Sequence, residues 1–490
     1  MLIRPGLALS FLLLLAGAPQ ETFLHRTLDL AVGESAEADL PGGAKARVKF
    51  LDLQETVDDV NGSVRRAEVK IEVNGEAATL VSAQYNLPRV VGGVQVDCAI
   101  TKGYLGKAKK NVWGLRKDAR FRIWAAGSPW IPPGTFVYPA RQRWFATYTQ
   151  MGNEPVYVDG GDMPAKKETY YHYGLDIGGP EGLVDVVAAT DGIVVSSGLE
   201  VLAGHEKDTP VDKRYDVVYL LDPRGWYYRY SHLKFIEDWV RPGVKVSMGR
   251  KIGILGKEGG SGGWSHLHFD ITKRQPSGEW GIEEGYAFLW EAYQRERAPK
   301  LVAVARPHHL IWAGQKITLD GSRSWGNNIR HEWTFTEGGG AAGATVERTY
   351  EKPGTYCEIL KITDDSGRVD YDFAVVQVCD KAQPEKPPPT IHAVYAPSFG
   401  IRPADPVVFK VRTFRDKEGG ETWDFGDGTP PVTVKSDGNA VVHAPNGYAE
   451  HLHKYAKPGH YLVKVEHVSP DGVKAVARLQ VRVGIDERGR

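Results

Sequence analysis

Ala67-Glu68-Val69-Lys70-Ile71-Glu72-Val73 alternates small or apolar residues with charged ones and stops at Asn74-Gly75. On an extended strand this alternation gives one apolar and one charged face, and Asn-Gly is the chemistry of a two-residue hairpin turn. Short runs closed by turn residues recur at Ala46 to Leu51, Val184 to Ala189, Val217 to Leu221 and Trp226 to Tyr230. Long helical periodicity is nearly absent, and 56 Gly and 30 Pro among 490 residues supply turns throughout. The chain therefore reads as mostly β. From Val184 to Asp270 the close spacing of the runs predicts a single antiparallel sheet system. Tyr286, Leu289, Trp290 and Tyr293 stand at helical spacing and predict one short amphipathic helix packed on it.

A chain of this length holds about three or four domains. Lys plus Arg equals Asp plus Glu at 61 each, so no global field favours nucleic acid or a membrane surface. Met1 to Gln20 carries Arg4, an apolar run from Leu7 to Ala16 and then small residues, the layout of a secretory signal peptide. The run is short for a membrane span, although a retained anchor is the alternative. An exported protein permits disulfides, and Cys357 and Cys379 fall on neighbouring predicted strands, so either one bridge or two buried thiols fits them. Cys98 has no close partner, and no close Cys pair is present for zinc. Lys107-Ala108-Lys109-Lys110 reads as a solvated loop.

The C-terminal part reads as a duplication. Trp333-Thr334-Phe335, Tyr350 to Tyr356 and Asp364 to Gly367 are echoed by Trp423-Asp424-Phe425-Gly426-Asp427-Gly428, Tyr455 to Tyr461 and Asp471-Gly472. An aromatic strand, a Pro-Gly turn into a Tyr-led strand and a polar turn recur at a period of roughly ninety residues, which suits tandem β-sandwiches. Gln383-Pro384-Glu385-Lys386-Pro387-Pro388-Pro389 between them predicts a stiff extended linker. The two units resemble PKD domains, the Ig-like modules of extracellular bacterial enzymes. The second has the family's aromatic core and Gly-Asp-Gly turn in full, whereas the first has Thr-Glu-Gly at the turn.

Metal-assisted hydrolysis needs three protein ligands, a position left for water, and a base that does not bind the metal. His followed four residues later by Asp occurs at His172/Asp176, His266/Asp270 and His467/Asp471, and His-x-His at His266/His268 and His451/His453. Neither spacing is decisive alone. On a strand, His266, His268 and Asp270 share one face. One compact β unit also supplies His172, Asp176 and His232, whereas His451 and His453 sit in a sandwich, where a strand-edge role is the ordinary one.

His172-Tyr173-Gly174-Leu175-Asp176, Tyr230-Ser231-His232-Leu233 and His266-Leu267-His268 occur in that order. Val187-Ala188-Ala189-Thr190-Asp191-Gly192 and Met248-Gly249-Arg250-Lys251-Ile252-Gly253 connect them. Over roughly residues 170–275 this pattern resembles the lysostaphin-type (LytM-type) zinc metalloendopeptidases. Asp270 stands where that family usually has Glu, and Trp264-Ser265 replaces the usual Gly-Pro.

The resemblance implies one zinc ion per chain held by His172, Asp176 and His268, with His232 and His266 acting on water and oxyanion. Either of the last two could be the general base. It also implies a secreted hydrolase of peptide bonds in peptidoglycan stems or cross-links, located in the periplasm, cell envelope or outside the cell. No nucleic acid and no integral span after signal removal are expected, and the PKD-like units would contact cell-surface or polysaccharide partners. The alternatives are a non-catalytic envelope-binding or regulatory protein and a zinc protease of secreted proteins.

On this reading residues 1–20 are the signal peptide and 21–150 an N-terminal β-rich domain. Residues 151–298 are the zinc metallopeptidase domain, an antiparallel β-sheet unit of the duplicated hybrid motif type. Residues 299–381 and 391–485 are the two Ig-like β-sandwiches, joined by a Pro-rich linker at 382–390.

Overall fold

The computed structural model describes residues 23–105, 110–154 and 171–486. The expected signal peptide and most of the Lys107 to Lys110 cluster lie outside the described residues.

Alternation becomes sidedness at once in the N-terminal unit. Ala67, Val69, Ile71 and Val73 point inward from the strand Val64–Val73, and Asn74-Gly75 turns the chain into Glu76–Val81. These strands belong to a four-stranded sheet with Ser35–Asp39 and Lys45–Val57. It faces a second four-stranded sheet made of His25–Leu30, Ala119–Ala125, Val94–Thr101 and Arg89–Val91. Phe50, Ile71, Val96, Phe121 and Ile123 meet between the two.

The middle unit contains two sheets where one was expected. The larger is nine-stranded, and at its centre His266–Arg274 lies between Tyr227–Ser231 and Leu175–Gly178, antiparallel to both. The smaller joins Asp185–Val187, Lys251–Leu255 and Leu233–Ile236. The reason lies in the run Val184 to Ala189, which after the exposed Asp185 is apolar without alternation: Val186, Val187, Ala188 and Ala189 are all buried. A strand covered on both faces has no outward side and can sit between layers. The helix Tyr286–Arg297 forms where its periodicity predicts and buries Tyr286, Leu289, Trp290 and Tyr293 against the same core. Arg122, fully buried, joins the N-terminal unit to this one through Asp97, Glu283 and Glu284.

Both C-terminal units are sandwiches with a buried tryptophan, Trp333 in one and Trp423 in the other. They are not strung out on a rod. Gln383 N–H donates to the Asp380 carbonyl and Lys386 N–H to the Gln383 carbonyl, so the expected stiff linker is instead two consecutive turns. The turns bring Gly354–Thr363 of the first unit beside Lys474–Val483 of the second, paired in parallel at Gly354/Lys474 and Thr355/Ala475. One sheet thus runs through both units.

No disulfide joins Cys357 to Cys379, and all three cysteines are buried. Cys357 lies opposite Val375, four residues from Cys379 along its strand. That is about 13 Å of extended chain, beyond the reach of a bridge.

Candidate active site

Strand register builds the site. Asp176 is directly opposite His268, and Gly178 opposite His266, so the first motif and the last are cross-strand neighbours. Gly174 makes the approach between them: at φ 75° it takes a left-handed turn, and a Cβ there would lie 2.7 Å from the Phe269 carbonyl oxygen and from Asp270 Cβ. His232 reaches the site from the gap between Tyr227–Ser231 and Leu233–Ile236, at φ 65°. For a residue with a side chain this is a sparsely populated conformation, held here because its N–H donates to Asp216 Oδ2 at 2.9 Å.

All five expected residues are buried and lie together. His172 Nε2, His268 Nδ1 and Asp176 Oδ1 form a triangle with sides of 3.0, 2.9 and 3.0 Å. Their outer atoms fix which lone pairs face inward. His268 Nε2 is 3.1 Å from Asp270 Oδ2 and His172 Nδ1 is 3.4 Å from the Met151 carbonyl, so those nitrogens carry the protons. Two lone pairs and a carboxylate therefore converge on one point. Ligands about 2.0–2.1 Å from a tetrahedral ion stand about 3.3 Å apart, close to this triangle. The three residues fit a metal ion and form the group able to hold one among the described residues.

Burial lowers the pKa of His268, but its bonds to Asp176 and Asp270 outweigh that and raise it. Burial also opposes the charge on Asp176, yet His172 and His266 hold its carboxyl well below the usual carboxylate range.

His266 and His232 flank this triangle without belonging to it. His266 Nδ1 donates to the Trp264 carbonyl at 3.0 Å, and His232 Nδ1 to the Glu258 carbonyl at 2.6 Å. Each neutral ring is left with its lone pair on Nε2; that of His266 is 3.4 Å from Asp176 Oδ2. Burial pushes His266 well below its ordinary pKa and lowers His232 as well.

The remaining motif matches do other work. His453 Nε2 pairs with Asp427 at 2.8 Å while its ring stacks on Phe425, and His467 pairs with Asp416 at 2.9 Å. Sequence reasoning missed the Arg214–Asp216 pair behind His232, and the Met151 carbonyl behind His172. Asp270 was within reach, because it shares the strand face of His268.

Comparison with known proteins fits this geometry. Residues 170–279 match the family model described as Peptidase family M23. Residues 297–378 match a PKD domain model. Among solved structures, the Ruminococcus gnavus chain assigned as glycyl-glycine endopeptidase lytM is 22% identical, covering 33% of this chain and 61% of its own, with TM-score 0.23. The M23-like match thus spans under two thirds of that chain. The catalytic domain of the M23 protein EnpA from Enterococcus faecalis is 22% identical over 32% of this chain and 94% of its own, TM-score 0.19. Lysostaphin is 18% identical over 49% of this chain and 91% of its own, TM-score 0.23. No helix of the described residues is long and apolar enough to cross a membrane.

Proposed function

We propose that this chain is an exported zinc endopeptidase that hydrolyses peptide bonds in peptidoglycan stems or cross-links. The observation that carries the reading is the convergence of His172 Nε2, His268 Nδ1 and Asp176 on one point, with two neutral histidines beside it. A wall peptide as substrate is supported by the M23 match over the same residues and by the kinds of enzyme it resembles. On this reading residues 151–298 are the catalytic domain, and the flanking units over 21–150, 299–381 and 391–485 hold or deliver it.

His172, Asp176 and His268 would hold the ion, with the Met151 carbonyl and Asp270 keeping the two rings in the required tautomers. When bound, zinc supplies a Lewis acid for the scissile carbonyl and for the attacking water. One of His232 and His266 takes the water's proton on Nε2 and returns it to the departing amine nitrogen. The other donates from Nε2 to the developing oxyanion as an imidazolium, having first taken a proton from solvent against the burial that lowers its pKa. The Glu258 carbonyl and Asp216, itself paired with Arg214, keep the His232 ring from turning away.

The test is purified protein on purified peptidoglycan, with zinc measured on the same sample and released fragments read by mass spectrometry. Stoichiometric zinc, release of peptides with new amino termini and arrest by a chelator are expected. His268→Ala should lose zinc, and His232→Ala should keep zinc and lose rate. Normal cutting by His268→Ala would remove the ligand assignment, and cleavage of added secreted proteins but not of wall would replace the substrate.

A further inference from the structure

The nine-stranded sheet does not furnish the wall behind His266. That wall is Trp264, whose indole stacks on the His266 imidazole with centroids 3.9 Å apart and planes 16° apart. Trp264 stands in the run Gly259-Gly260-Ser261-Gly262-Gly263-Trp264-Ser265. Four glycines in five positions give this run the largest conformational entropy to lose on ordering, and little side chain with which to order itself.

The second sandwich supplies the order. Phe414 joins Trp264 in a small apolar cluster, and the His392 ring meets the indole edge-on at 5.2 Å. Ser265 N–H donates to Tyr448 Oη at 2.8 Å, and that hydroxyl is 2.7 Å from His392 Nδ1. Upstream, Arg412 Nη1 donates to the Gly263 carbonyl at 2.6 Å, Asn439 Nδ2 to that of Gly262 at 3.1 Å, and His443 Nε2 lies 2.8 Å from that of Gly259. Arg412 is fully buried and is itself held by Asp437 and by the carbonyls of Val441 and Val442. The fit leaves no slack: Gly263 sits at φ 94°, and a Cβ there would lie 2.2 Å from Asn439 Oδ1.

We propose that Trp264 is a positioning residue for His266, and that the second sandwich holds it in place through Phe414, His392 and Tyr448. The sandwich is then a working part of the site rather than a spacer. A stacked indole fixes the plane of the imidazole, and the Nδ1 bond to the Trp264 carbonyl fixes its rotation, so Nε2 is aimed at the cluster. This rests on the peptidase reading above.

Two variants of the full chain test it without touching the cluster. Tyr448→Phe removes one hydroxyl, and Phe414→Ala removes one face of the indole's support. Each should lower kcat about 10-fold or more with KM within about twofold and zinc content unchanged. Trp264→Phe, which keeps a stacking ring, should retain more kcat than Trp264→Ala. The activity-independent readout is the histidine ring spectrum of selectively labelled protein, in which the His266 signal is identified by its loss in His266→Gln. In the wild type that signal should be shifted upfield by the indole, and in both variants it should move back. Wild-type kcat together with an unmoved signal would overturn the proposal, as would a fall in kcat accompanied by loss of zinc. If the zinc-loaded wild type cuts no wall substrate, the peptidase reading fails, and the ring signal alone decides the positioning.

Discussion

Asp270 Oδ2 lies 3.1 Å from His268 Nε2, two positions along the same strand face. The carboxylate holds the proton on Nε2 and so leaves Nδ1 as the electron pair that faces Asp176 and His172. Partners of this kind behind a ligand are worth about 10–100-fold in metal affinity. Asp270→Ala should weaken zinc binding by that amount while leaving the three ligands in place, measured by competition with a chromophoric chelator. Unchanged affinity would show that the strand alone orients His268.

Gly174 allows Leu175–Gly178 to lie against His266–Arg274 immediately beside His172, Asp176 and His268. Gly174→Ala would place a methyl group 2.7 Å from the Phe269 carbonyl in a left-handed turn. A loss of about 1–3 kcal/mol in stability and of zinc occupancy is expected, read by urea melts and metal analysis. A variant that keeps both would mean that the two strands can part without cost.

Arg122 is a buried cation with carboxylates of two units around it, Asp97 on one side and Glu283 and Glu284 on the other. Removing one member of such a group strands the others in a poorly solvating interior. Arg122→Ala should cost about 3–5 kcal/mol, observed as a lower midpoint in urea with the N-terminal unit loosening first by hydrogen exchange. Equal protection in both proteins would show that the apolar contacts alone join the units.

His25, His308 and His392 are buried, and burial lowers their pKa values from 6.5 to about 4, about 3 and about 3. Between pH 6.5 and those values the unfolded chain binds protons that the folded chain refuses, so stability falls as pH drops through this window. At pH 5 each histidine costs about 2 kcal/mol relative to neutral pH. Thermal melts from pH 7 to pH 4.5 should show a steep decline, reduced in His392→Gln. A flat melting temperature would mean that these rings are wetter than the structure shows.

What could be read in the sequence was local. Val64–Val73 announced its buried face by alternation, and the helix Tyr286–Arg297 announced its own by spacing. His172, Asp176 and His268 stood out through the resemblance of three ordered motifs to a known family, since neither His-x-His nor His-x-x-x-Asp singles them out, and strand register places Asp176 opposite His268. After Asp185 the run to Ala189 is apolar without a break and gave no face to read, so its place in a second sheet was hidden. The joining of the two sandwiches turned on two bends at residues 380–386 that a run of prolines suggested would be straight. Asp216 behind His232 lies in a segment with no motif, and Tyr448 is 183 positions from the residue it holds, a separation that no local pattern encodes.

That separation also sets an order in time. Chains are made, and pass through export channels, largely from the N-terminus onward. The strand with His266 and His268 emerges well before Arg412, Phe414 and Tyr448 exist outside the ribosome or channel. Until they arrive, the glycine run ahead of Trp264 has only its bonds within the middle unit, such as Gly259 N–H to Tyr215 Oη, and lacks the braces at Gly262, Gly263 and Ser265. His172, Asp176 and His268 can gather early, but the histidine beside them is set only when the second sandwich closes, so residue order delays completion of the site until the C-terminal unit has been made.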